Sequence, residues 1–392
     1  MTSNYRPISI LPIVSKVFEK LIAKQIINHL NNSSFPLHPM QFGFRANHST
    51  ETATCFFVEK VKASMDRGGV VGAVFLDLRK ALDTVNHNIL LQKMLNLNVS
   101  IEFTNLFNSY LSSRSQCVKI ENHKSSALCL SIGVPQGSVL GPILFSMYIN
   151  DLPSVCGECD VLMYADDTVV FTHGKTAEEA ATKVTDVLEN ITSWLNNNCL
   201  QPNISKTVFM FFSKGHSIIT EQDAFFSGRR LQVVSEYKYL GVHIDTNLNF
   251  KTHIKKVCNK VKFNLSNYRY IRNFLSSAAA KLYLHSMVLS HINYCLISWS
   301  NAHSTALKPL ESLYKQALKT LDKKPFRYHH CHIVKKFNLF GWENLIVYKN
   351  VCLVYKITRG LAPPPLAGFI SLKSTSTRGL LEVRLGETAP SH

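Results

Sequence analysis

The chain has 392 residues, 46% of them hydrophobic: room for two or three domains with a sizeable core, and too apolar for a disordered protein. Its formal net charge of +17 is unevenly spread, since residues 1–245 carry 21 Lys and Arg against 21 Asp and Glu, whereas residues 246–392 carry 22 against 5. The C-terminal part is therefore expected to face a polyanion, with nucleic acid the first candidate and a membrane surface the weaker one. Ten cysteines form no disulfide framework and read as reduced thiols of an intracellular protein, nuclear or cytoplasmic. Cys156-Gly-Glu-Cys159 has no matching second pair, and the contiguous His329-His330-Cys331-His332 should point its side chains apart, so no zinc is expected. No signal peptide is read, and the apolar stretch 282–299 contains His285, His291 and Asn293, which makes it a buried helix and not a membrane span.

Asn4-Tyr5-Arg6-Pro7-Ile8-Ser9-Ile10-Leu11-Pro12 should run extended because of its prolines. Val14, Val17, Phe18, Leu21, Ile22 and Ile26 then recur at helical spacing, with Lys16, Glu19, Lys20 and Lys24 on the other face, which predicts an amphipathic helix. Gln41-Phe-Gly-Phe-Arg45 opens a glycine-bearing loop, after which Ser49 or Thr50 caps a helix with Glu51 in its first turn. Residues 71–78 are an apolar strand interrupted by Asp77, an acid that is costly in a central strand unless it has a ligand. Asp83, Asn86 and His87 follow as a helix begins, and residues 88–112 read as helix.

Ile132-Gly-Val-Pro-Gln136-Gly137-Ser-Val-Leu-Gly-Pro142 is a loop dense in Gly and Pro that opens an apolar helix. Glycine permits close backbone approach to a ligand, a helix N-terminus favours anions, and Gln136 offers both donor and acceptor. In Val161-Leu-Met-Tyr-Ala-Asp166-Asp167-Thr-Val-Val170 two apolar arms flank adjacent carboxylates, which reads as a buried hairpin with the acids at its turn. Two like charges about 4 Å apart repel by roughly 4 kcal/mol at an effective dielectric near 20, so the pair calls for a cation or a proton. A hard divalent cation such as magnesium suits bare oxygen ligands and brings phosphate with it.

Thr176 and Glu179 predict a capping box, and Ala180, Val184, Val187, Leu188, Ile191, Trp194 and Leu195 a core stripe on the helix behind it. Lys206, at the entry to the strand 208–212, is placed to protonate a leaving pyrophosphate if it stands near a phosphoryl-transfer centre. Residues 237–244 read as a second hairpin, with Gly241 allowing close approach. Beyond residue 246 the pattern is helical and basic, with Lys251, Lys255, Lys256, Lys260 and Lys262, and with Tyr268, Tyr270 and Phe274 interleaved, as suits tracking of a phosphate backbone. The last twenty or so residues are polar and expected to fray.

Taken in order, Phe75-Leu76-Asp77, Gly133-Val-Pro-Gln-Gly-Ser138, Tyr164-Ala-Asp-Asp167, Lys206 and Tyr239-Leu240-Gly241 resemble the motifs of reverse transcriptases of non-LTR (LINE-type) retrotransposons. The resemblance runs from Asn4 to about Ile244 and more loosely beyond. It implies an α+β right-hand polymerase: partial fingers over 1–70, a palm with part of the fingers over 71–245, a basic helical thumb over 246–325, and a C-terminal helical extension and tail over 326–392. It implies that Asp77, Asp166 and Asp167, with the Leu78 carbonyl, hold two magnesium ions (manganese as substitute) about 3.5–4 Å apart, one activating the primer 3′-hydroxyl and one binding the triphosphate. Arg45 matches the arginine near the triphosphate, Gln136 and Gly137 the loop under nucleotide and template, Lys206 the general acid, and Tyr239, Leu240 and Gly241 the primer grip. The implied partners are an RNA template, a DNA primer and deoxynucleoside triphosphates, with no membrane.

Two departures stand out. Leu82, five residues after Asp77, occupies a position where the family carries a bulky aromatic that excludes a 2′-hydroxyl. The chain also begins at the first fingers motif, so a truncated copy without upstream endonuclease is expected. The competing expectation is a catalytically inert remnant that only binds nucleic acid; another palm-fold enzyme such as a nucleotide cyclase fits neither the Gly-Pro loop nor the basic C-terminal part.

Overall fold

The computed structural model of the protein describes residues 8–214, 223–325, 327–374 and 381–385. Residues 4–7, read above as extended, lie outside the described residues. The elements are α1 (Ile13–Asn32), α2 (Thr50–Asp66), β1 (Val70–Leu76), α3 (His87–Asn96), α4 (Ile101–Leu111), β2 (Arg114–Gln116), β3 (Lys119–Ile120), β4 (His123–Lys124), β5 (Leu128–Leu130) and α5 (Gly141–Tyr148). There follow β6 (Asp160–Tyr164), β7 (Asp167–Gly174), α6 (Ala177–Asn197), β8 (Val208–Phe212), β9 (Phe225–Phe226), β10 (Arg229–Arg230), β11 (Gln232–Val233), β12 (Glu236–Tyr239) and β13 (Val242–Asp245). The C-terminal part is helical: α7 (Lys251–Ile271), α8 (Ser277–Tyr283), α9 (Ser290–Asn293), α10 (Leu296–Trp299), α11 (Ser304–Leu321), α12 (His330–Phe337) and α13 (Trp342–Thr358), then β14 (Ile370–Ser374) and β15 (Leu381–Leu385). The α+β class expected from the sequence is the one observed. Two compact units form: Met1–Ala46 with Gly72–Phe209 and Ile219–Val233, and Asn47–Val71 with Met210–Ile218 and Val234–His392.

Most of a five-stranded sheet of order β11-β8-β1-β7-β6 belongs to the first unit. Apart from the edge strand β11, where Gln232 is exposed, the strands of this sheet are largely apolar, and Val74, Leu162, Val169, Val170 and Phe209 are fully buried. α6 covers the sheet with Ala180, Val184, Leu188 and Ile191, the predicted stripe, all removed from water. Each such Val, Leu or Ile stabilises the unit by about 1.5–3 kcal/mol. Thr176 caps α6 by accepting from the Glu179 amide at 3.1 Å, but the Glu179 carboxylate reaches back to the Lys175 amide (2.7 Å), one residue before the expected box partner.

Three expectations are corrected here. The strand predicted over 71–78 stops at Leu76: the Asp77 amide donates to the Thr207 side-chain Oγ1, and the Asp77 carbonyl accepts from Asn203 in an isolated bridge of Leu78 with Pro202. The predicted helix 88–112 is two helices, the second capped by Ser100 on the Phe103 amide. α1 is turned: Ile22, Ala23, Ile26 and Leu30 are buried, whereas Val14, Val17, Phe18 and Leu21 are exposed and Glu19, assigned to the polar face, is 1% exposed. Glu19 is satisfied there by the Val139 amide (2.7 Å), Tyr110 Oη (3.2 Å) and Ser15 Oγ (3.3 Å), so a carboxylate stitches α1 to α4 and to the entrance of α5. Burial beside Glu19 is also why the Tyr110 phenol is pushed up to about 12.

In the second unit Ser49, one of the two cap candidates, caps α2 through a reciprocal pair with Thr52. Phe57 of α2 meets Phe212 and Tyr239 edge-on, both at 5.7 Å between ring centroids. α7 buries Ile254, Val257, Val261 and Leu265, and leaves Lys251, Lys255, Lys262 and Arg269 exposed along one stripe at helical spacing. Tyr268, expected among the exposed aromatics, is buried against Tyr283 at 5.1 Å; the exposed rings are Phe263, Tyr270 and Phe274. The stretch 282–299 is no continuous helix. It passes through a π-turn at Leu284–Leu289, and Cys295 takes a φ of +49°, which breaks the rod before α10. In the tail expected to fray, β14 and β15 pair antiparallel from Ile370↔Leu385 to Ser374↔Leu381, while residues 375–380 and 386–392 lie outside the described residues.

Candidate active site

β6 and β7 form the predicted hairpin. Tyr164 pairs with Asp167, which leaves Ala165 and Asp166 as a two-residue turn. Ala165 sits in the left-handed region at φ +58°, where an L side chain costs roughly 1–2 kcal/mol, so the turn is held by its surroundings. Asp166 is half-buried and Asp167 exposed at the start of β7. Asp77 directly follows β1, and β1 is the neighbour of β7 in the sheet. Asp77 and Asp166, 89 positions apart in the chain, thus stand at the ends of two adjacent strands, with Asp167 the first residue of the second.

Asp77 is fixed by the segment before β8. Asn203 Nδ2 donates to Asp77 Oδ2 at 2.7 Å, the Asn203 amide donates to the Asp77 carbonyl at 2.8 Å, and the Asp77 amide donates to Thr207 Oγ1 at 3.2 Å. Leu78 bridges Pro202, and the flanking ladder bonds use the Asp77 carbonyl and the Arg79 amide (to Gln201, 2.8 Å), not Leu78's own groups. Lys206 is exposed in the same turn, its amide donating to the Asn203 carbonyl at 3.0 Å. The structure therefore brings Asp77, Leu78 and Lys206 to one junction.

The Gly-Pro loop lies along residues 82–87. The Val134 amide donates to the Leu82 carbonyl (2.8 Å), the Gly133 amide to the Val85 carbonyl (2.7 Å), and Gln136 Nε2 to Asp83 Oδ1 (2.8 Å). His87 Nε2 lies 2.8 Å from the Gly133 carbonyl. Gly133, at φ +87°, has no room for a side chain, since a Cβ would stand 2.7 Å from the Asp83 carbonyl oxygen. Leu82, Gln136 and Gly137 are thus grouped, with Gln136 and Leu82 half-buried and Gly137 exposed.

Arg45 is half-buried in a loop that runs beside β6. Its Nη1 donates to the carbonyls of His38 (2.9 Å) and Gln41 (3.3 Å). Burial lowers its pKa, and burial together with the Arg45 charge lowers that of His38, which keeps the imidazole neutral beside the guanidinium. Tyr239, Leu240 and Gly241 belong to the second unit, at the turn of β12 and β13. Leu240 and Gly241 both take positive φ, and Tyr294 Oη donates to the Leu240 carbonyl at 2.8 Å.

His329, His330 and Cys331 do not diverge as expected: their ligand atoms lie within 4.8 Å of one another, although His329 and Cys331 are exposed. Cys156 and Cys159 are buried, and burial pushes the Cys156 thiol up to about 12. Among the described residues, no helix is long and apolar enough to cross a membrane.

The family described as reverse transcriptase (RNA-dependent DNA polymerase) matches residues 1–244. The chain belongs to it. The reverse transcriptase chain is 29% identical over 327 residues to the probable RNA-directed DNA polymerase from transposon X-element of Drosophila melanogaster, covering 81% of this chain and 36% of the relative. It is 28% identical over 333 residues to the RNA-directed DNA polymerase from mobile element jockey of the same fly, covering 82% of this chain and 36% of the relative. It is thus related to the reverse transcriptases of non-LTR retrotransposons, and spans about a third of the length of these relatives. Among solved structures it is similar to telomerase from Candida tropicalis in complex with a fragment of telomeric RNA, at a TM-score of 0.43 and 13% identity over 83% of this chain and 56% of that one. The mixed α/β fold of this reverse transcriptase is a polymerase fold.

Sequence reasoning missed Asn203 and Gln41. Asn203 reads as one more polar residue of a turn, and only its bond to Asp77 gives it a role. Gln41 stands in a loop signature yet is completely buried, which no composition rule anticipates.

Proposed function

We propose that this chain is an RNA-directed DNA polymerase of a non-LTR retrotransposon, adding deoxynucleotides to a primer 3′-hydroxyl. The observation that supports the reading is the placing of Asp77 at the end of β1 and of the Asp166-Asp167 pair at the start of its neighbour β7. Carboxylate oxygens at the ends of adjacent strands fit a pair of hard divalent cations, magnesium above all, with Leu78 offering a backbone carbonyl. When bound, such cations neutralise the triphosphate and acidify the primer hydroxyl. The protein's own residues do the rest. Asn203 orients the Asp77 carboxylate, and the β6–β7 turn presents Asp166 and Asp167 together. Arg45 offers a guanidinium to triphosphate oxygens, and Lys206 a proton to the departing pyrophosphate. Gln136 and Gly137 support template and nucleotide, Leu82 lies against the sugar, and Tyr239, Leu240 and Gly241 grip the primer. In domain terms, residues 1–70 are partial fingers, 71–245 the palm with part of the fingers, 246–325 the thumb and 326–392 a C-terminal extension.

The test is primer extension on an RNA template with magnesium. Extension by the wild-type chain that Asp166→Ala abolishes supports the polymerase; template binding without extension supports an inert nucleic-acid-binding remnant.

A further inference from the structure

We infer that Gln41 is a positioning residue for the metal-binding turn: its buried amide oxygen ties the loop carrying Arg45 to the turn carrying Asp166, and thereby sets the affinity of the site for its divalent cation. The inference rests on the polymerase reading of that turn. Gln41 is 0% exposed. Its Oε1 accepts from the Gly43 amide at 2.9 Å and from the Ala165 amide at 3.4 Å. Two N–H donors on one end fix which end of the side chain is oxygen. The other end, Nε2, is buried with no hydrogen-bond partner among the described residues. An unmet buried donor costs about 1–3 kcal/mol, so a side chain serving only to fill space would be better apolar.

The backbone around Gln41 is locked to the hairpin. The Phe42 amide donates to the Met163 carbonyl at 2.7 Å, and the Met163 amide to the Met40 carbonyl at 2.9 Å, a parallel bridge centred on Gln41. Gly43 packs so closely that a Cβ would stand 2.3 Å from the Ala165 nitrogen. Ala165 holds its left-handed backbone at φ +58°, and the amide it gives to Gln41 ties that turn to a buried side chain. On the other side of the same segment, Arg45 is bonded to the Gln41 carbonyl. The carboxylate turn and the arginine are therefore located by one short stretch of chain, with Gln41 bonded to both.

The experiment measures Mn2+ binding to the full chain by electron paramagnetic resonance, without nucleic acid, together with primer–template affinity, thermal melting and extension. Gln41→Met removes the acceptor at similar volume. It should weaken Mn2+ binding tenfold or more and raise the magnesium needed for half-maximal extension by a similar factor, with primer–template affinity within twofold of wild type. Gln41→Asn keeps an amide but falls short of Ala165, and should shift Mn2+ binding in the same direction should Gln41→Met prove unfolded. Gln41→Glu presents an oxygen to both amides whether ionised or protonated, and should restore Mn2+ affinity to within threefold. Mn2+ affinity equal to wild type in Gln41→Met and Gln41→Asn overturns the inference while leaving the polymerase reading intact. A wild-type chain that neither binds Mn2+ nor extends a primer overturns both.

Discussion

The side-chain amide of Asn203 donates to the Asp77 carboxylate at 2.7 Å, across 126 positions of sequence. A carboxylate that is to bind a cation must be held in one rotamer, and groups that orient such ligands typically contribute about 10- to 100-fold to metal affinity or activity. Asn203→Ala should therefore slow extension by about 10- to 100-fold without changing template affinity. Single-turnover extension measured over a magnesium titration checks this; a rate within twofold of wild type would remove Asn203 from the site.

Asp77→Asn keeps the shape of the side chain and removes its charge. Extension should fall to background while primer–template affinity stays within about twofold, because phosphate-backbone contacts dominate that affinity. Filter binding alongside extension separates the two, and a marked loss of binding would count against a metal-holding role for Asp77.

The sheet and its acids are legible in the sequence because a buried strand is a local signal: Val161–Met163 and Val169–Val170 are apolar, and two adjacent carboxylates between such arms have few uses. The orientation of α1 is not legible. Periodicity locates an apolar face, but which face is covered depends on what packs there, and in α1 a carboxylate paired with Val139 and Tyr110 takes the inside while Val14 and Phe18 stay outside. The break at Cys295 escapes for a related reason, since a positive φ at a cysteine is imposed by tertiary packing and carries no compositional mark. Asn203 and Gln41 act through hydrogen bonds to residues more than 120 positions away, and single-sequence patterns hold no such information.

Leu82 is half-buried, with its carbonyl held by the Val134 amide of the Gly-Pro loop, so its side chain projects from a fixed backbone. A larger side chain there should crowd a 2′-hydroxyl. Leu82→Phe is expected to raise the preference for deoxyribonucleotides over ribonucleotides about tenfold, in the range that about one methylene's worth of steric discrimination provides. Single-nucleotide incorporation with paired dNTP and NTP substrates measures it, and an unchanged ratio would assign sugar choice to another residue.

Lys251, Lys255, Lys262 and Arg269 line one exposed stripe of α7, which at 1.5 Å per residue extends about 27 Å, the length of several nucleotides. If the stripe tracks a phosphate backbone, neutralising one phosphate-binding side chain should lower the slope of log affinity against log salt by about 0.7–0.9. Lys255→Gln, Lys262→Gln and Arg269→Gln combined should flatten the slope by about 2–3 with little effect on melting, since all three are exposed. The same slope in wild type and triple variant would place the polyanion elsewhere.

His253 is 4% exposed in the second unit, its Nδ1 accepting from the His243 amide at 3.3 Å. Burial, reinforced by the charges of His243, Lys260 and Lys256, lowers its pKa from 6.5 to about 4. In the unfolded chain the imidazole protonates near its ordinary value, so between pH 6.5 and about 4 the unfolded state binds the extra proton. Stability is then fully present above pH 6.5 and declines as pH falls toward 4, by on the order of 3 kcal/mol if the whole window is crossed. Melting of the full chain from pH 7.5 to 4.5 should show this fall. His253→Leu should start lower at pH 7.5, because the His243 amide loses its acceptor, yet lose less on acidification. Parallel curves for the two proteins would show that some other group carries the pH dependence.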